Sequence, residues 1–123
     1  MKALSAVLIL AALTAGHAYA NCTYPKAPEK IPDGATATLA EMVDAQKAVK
    51  AYNDQIKAYT DCLKLEHDQE MAKAASNKTP KDQMDELDKV AVQKNNAAVD
   101  EAQAITDRFN EQVRIFKSKN QKK

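Results

Sequence analysis

The fold is decided by the stretch from Leu39 to Leu65, LAEMVDAQKAVKAYNDQIKAYTDCLKL. When it is divided into sevens from Met42, apolar and small residues occupy the first and fourth positions of each heptad. These residues are Met42, Ala45, Val49, Tyr52, Ile56, Tyr59 and Leu63. Such spacing is typical of one long amphipathic helix that packs against a partner helix.

Helix boundaries can be predicted on both sides of this stretch. Thr38-Leu39-Ala40-Glu41 has the residue types of a capping box, which predicts that the first helix begins there. Thr79 and Pro80 indicate a second start, with threonine as the N-cap and proline at the first helical position. The predicted order is an extended arm over 21–37, helix 1 over 38–76, a loop over 77–79, helix 2 over 80–118 and a basic tail over 119–123.

The two predicted helices should form an antiparallel hairpin, because only a short loop joins them. In such a hairpin the numbers of facing residues have a nearly constant sum. The predicted pairs are Leu39 with Phe116, Met42 with Val113, Ala45 with Phe109, Val49 with Ile105, Tyr52 with Ala102, Ile56 with Ala98, Tyr59 with Asn95 and Leu63 with Ala91. At four of these eight levels a large side chain meets an alanine, as interdigitated packing requires.

Composition supports the same fold class. The 123 residues contain only 2 glycines and 4 prolines, and 28% of them are charged. This favours a single helix-rich domain. The sequence therefore predicts an all-α protein, a coiled-coil-like two-helix antiparallel hairpin with an extended, proline-rich N-terminal arm.

Residues 1–20 have the pattern of a secretory signal peptide. Lys2 precedes the apolar run Ala6–Leu13, and Ala18-Tyr19-Ala20 is a small-x-small cleavage site. The apolar run is too short to cross a bilayer. We expect cleavage before Asn21, no membrane span afterwards, and a periplasmic or secreted location.

The charge balance of the expected mature chain excludes one class of partner. The full chain has 18 basic and 17 acidic residues, and loss of Lys2 leaves 17 of each. A neutral chain has no overall field that would attract nucleic acid or anionic lipid. Nucleic acid is therefore not an expected partner.

The arm has the length and the cysteine that a disulfide bond to helix 1 would need. In a polyproline II conformation Cys22, Pro25, Pro28 and Ile31 share one face. The 12 residues from Cys22 to Gly34 then span about 37 Å, which matches about 36 Å of helix from Thr38 to Cys62. We expect the arm to lie along a stripe of small and apolar residues on helix 1, which are Ala48, Ala51, Ala58, Cys62 and Leu65. Two cysteines in an exported chain favour an intramolecular Cys22–Cys62 bond, the alternatives being an intermolecular bond or a free thiol.

Residues capable of chemistry are few. His67, with Glu66 and Glu70, is a candidate for binding a divalent ion, although one histidine among acids is also typical of a solvated surface. Ser76 and Ser118 have no second histidine in the mature chain to activate them. The sequence therefore predicts neither an enzyme nor a cofactor.

A row of β-branched residues recurs every seven positions on helix 2, beside the predicted interface with helix 1. Its members are Val92, Val99, Thr106 and Val113. One interpretation is a core three residues wide, which is common in globular helices. The other is a contact face for a partner or for a second copy of the chain.

The region from Cys22 to Leu65 resembles a group of small exported proteins of Gram-negative bacteria with no assigned function. The resemblance rests on Cys22, Ile31–Thr36 (IPDGAT), Glu41-Met42, Val49-Lys50, Tyr52, Tyr59 and Cys62-Leu63. It implies a periplasmic location and brings no catalytic or binding residues.

These observations lead to three functional hypotheses. The first is a periplasmic helical-hairpin module that binds another envelope protein or a second copy of itself. The alternatives are a protein that binds a small ligand or a metal, and an envelope-stress chaperone. A chaperone should expose a sizeable apolar patch, and a metal-binding protein should melt at a higher temperature when a divalent ion is present.

Overall fold

A computed structural model describes residues 21–122, and the predicted signal peptide lies outside them. Two helices, α1 (Leu39–Ser76) and α2 (Lys81–Gln121), pack together as a hairpin. The described residues contain no strand. Neither helix is long and apolar enough to cross a membrane. The predicted all-α hairpin is confirmed.

Helix α1 begins with the predicted capping box. The Glu41 N–H donates to the Thr38 hydroxyl at 3.2 Å, and the Thr38 N–H donates to the Glu41 carboxylate at 2.7 Å. These reciprocal bonds satisfy backbone donors that the first helical turn leaves without partners. The bond from the Thr38 backbone also holds the pKa of Glu41 below its usual range. The local sequence therefore sets the first residue of α1.

Helix α1 ends at Ser76, the predicted residue, but the connection to α2 differs from the prediction. Lys78 adopts the left-handed conformation with φ 54°, and its N–H bonds to the Ala75 carbonyl. The Thr79 N–H bonds to the Ala74 carbonyl at 2.9 Å, which completes a Schellman motif. Thr79 thus belongs to the C-terminal turn of α1 and does not cap α2. Pro80 occupies the N-cap position, and α2 begins at Lys81.

Helix α2 continues through most of the predicted basic tail. It ends at Gln121, three residues beyond the predicted end, because no proline or glycine interrupts it. The Asn120 amide donates to the Phe116 carbonyl, and the Lys119 ammonium donates to the Ala37 carbonyl at 3.3 Å. The Lys119 bond attaches the last turn of α2 to the segment just before α1.

The core lies between the helices where the heptads predict it. One cluster contains both members of the predicted pairs Met42 with Val113, Ala45 with Phe109, Val49 with Ile105, Tyr52 with Ala102 and Ile56 with Ala98. Three predicted pairs do not have both members in this cluster: Leu39 with Phe116, Tyr59 with Asn95 and Leu63 with Ala91. Leu63 is buried outside the cluster, whereas Leu39 is 66% exposed. Ala37, the residue before the cap, is buried in the cluster instead. The chain turns into α1 with Ala37 inward and Leu39 outward.

The arm is extended, and the predicted Cys22–Cys62 disulfide is confirmed. The face defined by Cys22, Pro25, Pro28 and Ile31 is half-buried, while Lys26, Glu29 and Lys30 are exposed. The arm also contacts α2, through Tyr24 and Gly34, and so lies between the two helices. Four members of the stripe on α1 that was predicted to receive the arm stay exposed; they are Ala48, Ala51, Ala58 and Leu65. The fifth, Cys62, is half-buried and joins the arm through the disulfide. Contact with both helices buries more of the arm than contact with one would.

Gly34 marks the closest approach of the arm to α2. Its N–H donates to the Gln112 side-chain oxygen at 2.8 Å. A Cβ atom at this position would lie 2.0 Å from the Gln112 backbone oxygen. The φ angle of Gly34 is not positive, so this position needs glycine for space and not for conformational freedom.

Candidate interaction surface

The hairpin has two lateral grooves between its helices, and they differ in what fills them. The arm fills one of them. The other, here called the open groove, is lined by residues of both helices and is not covered by any other part of residues 21–122. The lining residues from α1 are Asn53, Ile56, Lys57, Thr60, Asp61, Leu63, Lys64 and His67, and those from α2 are Asp88, Ala91, Val92, Asn95, Asn96, Val99, Ala102, Gln103 and Thr106.

Two polar bridges between the helices mark the ends of the open groove. At one end the Asn53 amide donates to the Thr106 hydroxyl at 3.0 Å. At the other end His67 Nε2 lies 2.7 Å from the Asp88 carboxylate. Between them are cavities of 640 Å³ and 390 Å³ that share Thr60 in their lining. The 14 helical residues from Asn53 to His67 make the groove about 21 Å long.

The walls of the open groove differ in chemistry. The α1 wall is largely polar, with Lys57 and Lys64 in ion pairs four residues along the helix. The α2 wall carries Val92 and Val99, which are 57% and 48% exposed. The groove stays open because α2 supplies small residues, Ala91 and Ala102, at two of its lining positions. Two exposed valines on the α2 wall, among polar side chains, therefore remain accessible to a partner.

The predicted valine row divides into two parts. Val92 and Val99 are exposed on the wall of the open groove. Thr106 is half-buried in the bridge to Asn53, and Val113 packs against the core. Half of the row is thus surface and the other half is structural.

The three candidate metal ligands do not come together. His67 directs Nε2 to Asp88 on the other helix, while Glu66 and Glu70 do not line the groove that His67 lines. Within residues 21–122 no group of three His, Cys, Asp or Glu side chains is placed to hold a metal ion. His67 Nδ1 is buried and lacks a hydrogen-bond partner. The role of His67 in the structure is to join the helices at one end of the groove.

The filled groove shows how this hairpin holds an extended chain. The Tyr24 ring of the arm meets the Tyr59 ring edge to face, with centroids 5.0 Å apart. The Tyr24 hydroxyl donates to the Glu101 carboxylate of α2. Partial burial of Tyr24, this hydrogen bond and the nearby Tyr52 hydroxyl all raise the pKa of Tyr24. Tyr24 thus contacts both helices from the arm.

Replacement of Tyr24 by phenylalanine tests this contact. We expect a loss of about 1 kcal/mol in the free energy of unfolding at neutral pH, because the bond to Glu101 is lost and the ring contact is kept. The folded-state pKa of Tyr24 is raised, so the contribution of its hydroxyl is complete below the unfolded-state pKa of about 10 and falls as the pH rises above it. Urea unfolding at pH 7 and pH 10.5 should show the difference between the two proteins shrinking at the higher pH. An equal difference at both pH values would contradict this account of Tyr24.

No family model matches the chain, and neither do any curated proteins or solved structures. The disulfide is compatible with an extracellular or periplasmic protein.

Sequence reasoning missed several contacts that shape the two grooves. The sequence around Tyr24 did not indicate its contact with α2, because its partner Glu101 lies 77 residues away. The bridge from Asn53 to Thr106 could have been found, since the predicted register places both residues beside the interface. The bond between His67 and Asp88 follows from the same register.

Proposed function

We propose that this chain is a periplasmic protein-interaction module whose open groove binds an extended, proline-containing segment of another envelope protein. The observation that carries the proposal is the contrast between the two grooves. An extended strand of the chain itself fills one of them, while the other exposes Val92 and Val99 between two polar bridges. The bound arm thus indicates the kind of partner that we propose, an extended segment that contains proline.

The spacing of the exposed valines fits an extended partner. Val92 and Val99 are seven helical residues apart, or about 10.5 Å along α2. Three residues of polyproline II span about 9.3 Å, so apolar residues at every third position of a partner would meet both valines. A groove about 21 Å long accommodates about seven such residues. The arm uses the same three-residue period on the opposite side.

The polar side chains along the groove also favour an extended chain over a helix. A polyproline II backbone makes no internal hydrogen bonds, so its N–H and C=O groups need external partners. Asn95, Asn96 and Gln103 line the groove and can supply both donors and acceptors. In the turn that follows the extended part of the arm, the Gly34 N–H makes a bond of this kind to the Gln112 side chain. A helical partner would satisfy its own backbone and leave these amides unused.

The location is part of the proposal. The signal-peptide pattern of residues 1–20 and the disulfide support export to an oxidising compartment. The resemblance to small exported proteins of Gram-negative bacteria supports the periplasm.

Replacing Val92 and Val99 together by glutamine tests the groove. The probe is a fluorescent seven-residue proline-rich peptide with an apolar residue at every third position, and the readout is anisotropy. We expect the double replacement to weaken binding at least tenfold, because it removes the two exposed valine side chains of the groove while glutamine preserves the helix. The melting temperature should change little, since both side chains are already exposed.

The matched control replaces Leu65 and Val90 by glutamine. These residues are 61% and 38% exposed, and neither lines the open groove. Peptide binding should be unchanged. If both double variants lose binding equally, the contact is not confined to the groove and the proposal is wrong.

Other occupants of the groove would give different results. A concentration-dependent dimer in sedimentation, lost in the Val92 and Val99 variant, would identify a second copy of the chain. Strong binding of an apolar dye by the native protein would indicate the chaperone. Either result, together with no peptide binding, would overturn the proposal.

A further inference from the structure

The arm is attached at its two ends and has few hydrogen bonds between them. The Cys22–Cys62 disulfide holds its N-terminal end. At its C-terminal end Gly34 bonds to Gln112, and the Asp33 carbonyl accepts the N–H groups of Thr36 and Ala37. Between these ends, within residues 21–122, the Tyr24 hydroxyl alone links the arm to the helices by hydrogen bonding, chiefly to Glu101. The middle of the arm is therefore held mainly by side-chain packing.

That packing is peripheral to the helix–helix core. Ala27 and Ile31 pack against the core cluster from outside and are only half-buried. The fully buried members of the cluster are residues of the helices and Ala37, and none belongs to the segment from Cys22 to Ile31. Loss of this segment from the groove would thus leave the contact between α1 and α2 in place.

The arm also covers a buried polar group of the helix–helix core. Tyr52 is 2% exposed. Its hydroxyl lies close enough to the Tyr24 hydroxyl of the arm to raise the pKa of Tyr24. Tyr24 is therefore the residue through which the N-terminal part of the arm meets polar groups of both helices.

We propose that the Cys22–Cys62 disulfide reversibly restrains the arm. Its reduction releases the arm and opens a second groove, while the hairpin stays folded. Both cysteines are half-buried, so they are partly accessible to solvent. A dithiol reductant transfers two electrons and two protons to the disulfide, which yields two protein thiols and the oxidised reductant. The released segment runs from Cys22 to Ile31, and the turn at Gly34 stays attached.

The conformational entropy of the arm explains why a single disulfide bond can determine whether the arm stays in the groove. An extended segment without backbone hydrogen bonds gains conformational freedom when it leaves the groove. The disulfide opposes this gain by keeping the arm at a high local concentration beside the groove. Once the bond is cut, the remaining contacts at the N-terminal end are those of Tyr24.

Limited trypsin digestion of the mature protein tests the proposal. Lys26 and Lys30 are exposed residues of the arm, and cleavage requires the arm to leave the groove. We expect cleavage after Lys26 to be at least tenfold faster with a dithiol present, while cleavage after Lys57 and Lys89, within the helices, is unchanged. Far-UV circular dichroism should show the same helix content in both samples.

The Cys22→Ser variant separates reduction from side effects of the reagent. Without reductant it should be cleaved after Lys26 as fast as the reduced wild-type protein, and it should not respond to the dithiol. Equal cleavage of the oxidised and reduced proteins would overturn the proposal. Loss of helix content on reduction would also overturn it, because the disulfide would then be holding the hairpin together and not only the arm.

Discussion

Replacement of Ile56 by aspartate is expected to unfold the hairpin at room temperature. Ile56 is 4% exposed and packs in the core cluster that also contains Ala98. The new carboxylate would be buried without a cationic partner, in a cluster of apolar residues. We expect the free energy of unfolding to fall by about 4 kcal/mol or more, a large fraction of the total for a domain of this size. Circular dichroism at 222 nm during thermal unfolding measures this loss.

The adjacent residue supplies the control. Lys57 is exposed and forms an ion pair with Asp61, so Lys57→Asp should cost only about 0.5 kcal/mol. Ile105→Asp, in the same cluster on α2, should behave like Ile56→Asp. Similar melting of all three variants would show that the register of the two helices is wrong.

Replacement of Gly34 by alanine should have the second largest effect. Its Cβ would lie 2.0 Å from the Gln112 backbone oxygen and 2.9 Å from the Phe116 backbone nitrogen. Backbone atoms of a helix cannot yield, so the turn and the C-terminal end of the arm must move away. We expect a loss of about 2 to 3 kcal/mol, in the upper range for overpacked positions. Urea unfolding of the oxidised protein measures this loss.

The neighbouring Ala35 provides the comparison. It is exposed, and Ala35→Ser adds one atom beside the same turn. That variant should unfold within about 0.5 kcal/mol of the wild-type protein. If Gly34→Ala is as stable as Ala35→Ser, the close approach of the arm to α2 is wrong.

The parts of the fold that depend on local periodicity could be predicted from the sequence. The heptads of α1 and the alternation of large and small residues identified the core pairs, because packing density allows few other registers. The capping box at Thr38 and Glu41 was predictable because its bonds join residues three apart. The length of the arm, together with the presence of only two cysteines, favoured the Cys22–Cys62 bond over the alternatives.

The remaining features depend on tertiary context. Lys78 adopts a conformation that usually signals glycine, so the Schellman motif at the end of α1 could not be predicted. The arm contacts both helices, which a comparison of lengths along α1 alone could not show. Leu39 was paired with Phe116 in the predicted register but lies outside the core, because Ala37 takes the buried position at the entry to the helix.

The candidate surface was predicted in part. Spacing placed Val92, Val99, Thr106 and Val113 on one side of α2, and two of these four are exposed in the open groove. Spacing alone could not show which members pack against the core, since that depends on the residues facing them across the hairpin. Asn53 faces Thr106 and bonds to it, whereas Val92 and Val99 face a groove.

Titration of the isotopically labelled, oxidised protein with the proline-rich peptide tests the central claim most directly. If the open groove binds extended segments, the NMR signals of Thr60, Val92 and Val99 should shift in a saturable manner. The signals of Ala48 and Leu65, outside the groove, should remain in place. Shifts confined to the arm side of the hairpin, or no saturable shift in the groove at millimolar peptide, would contradict the claim.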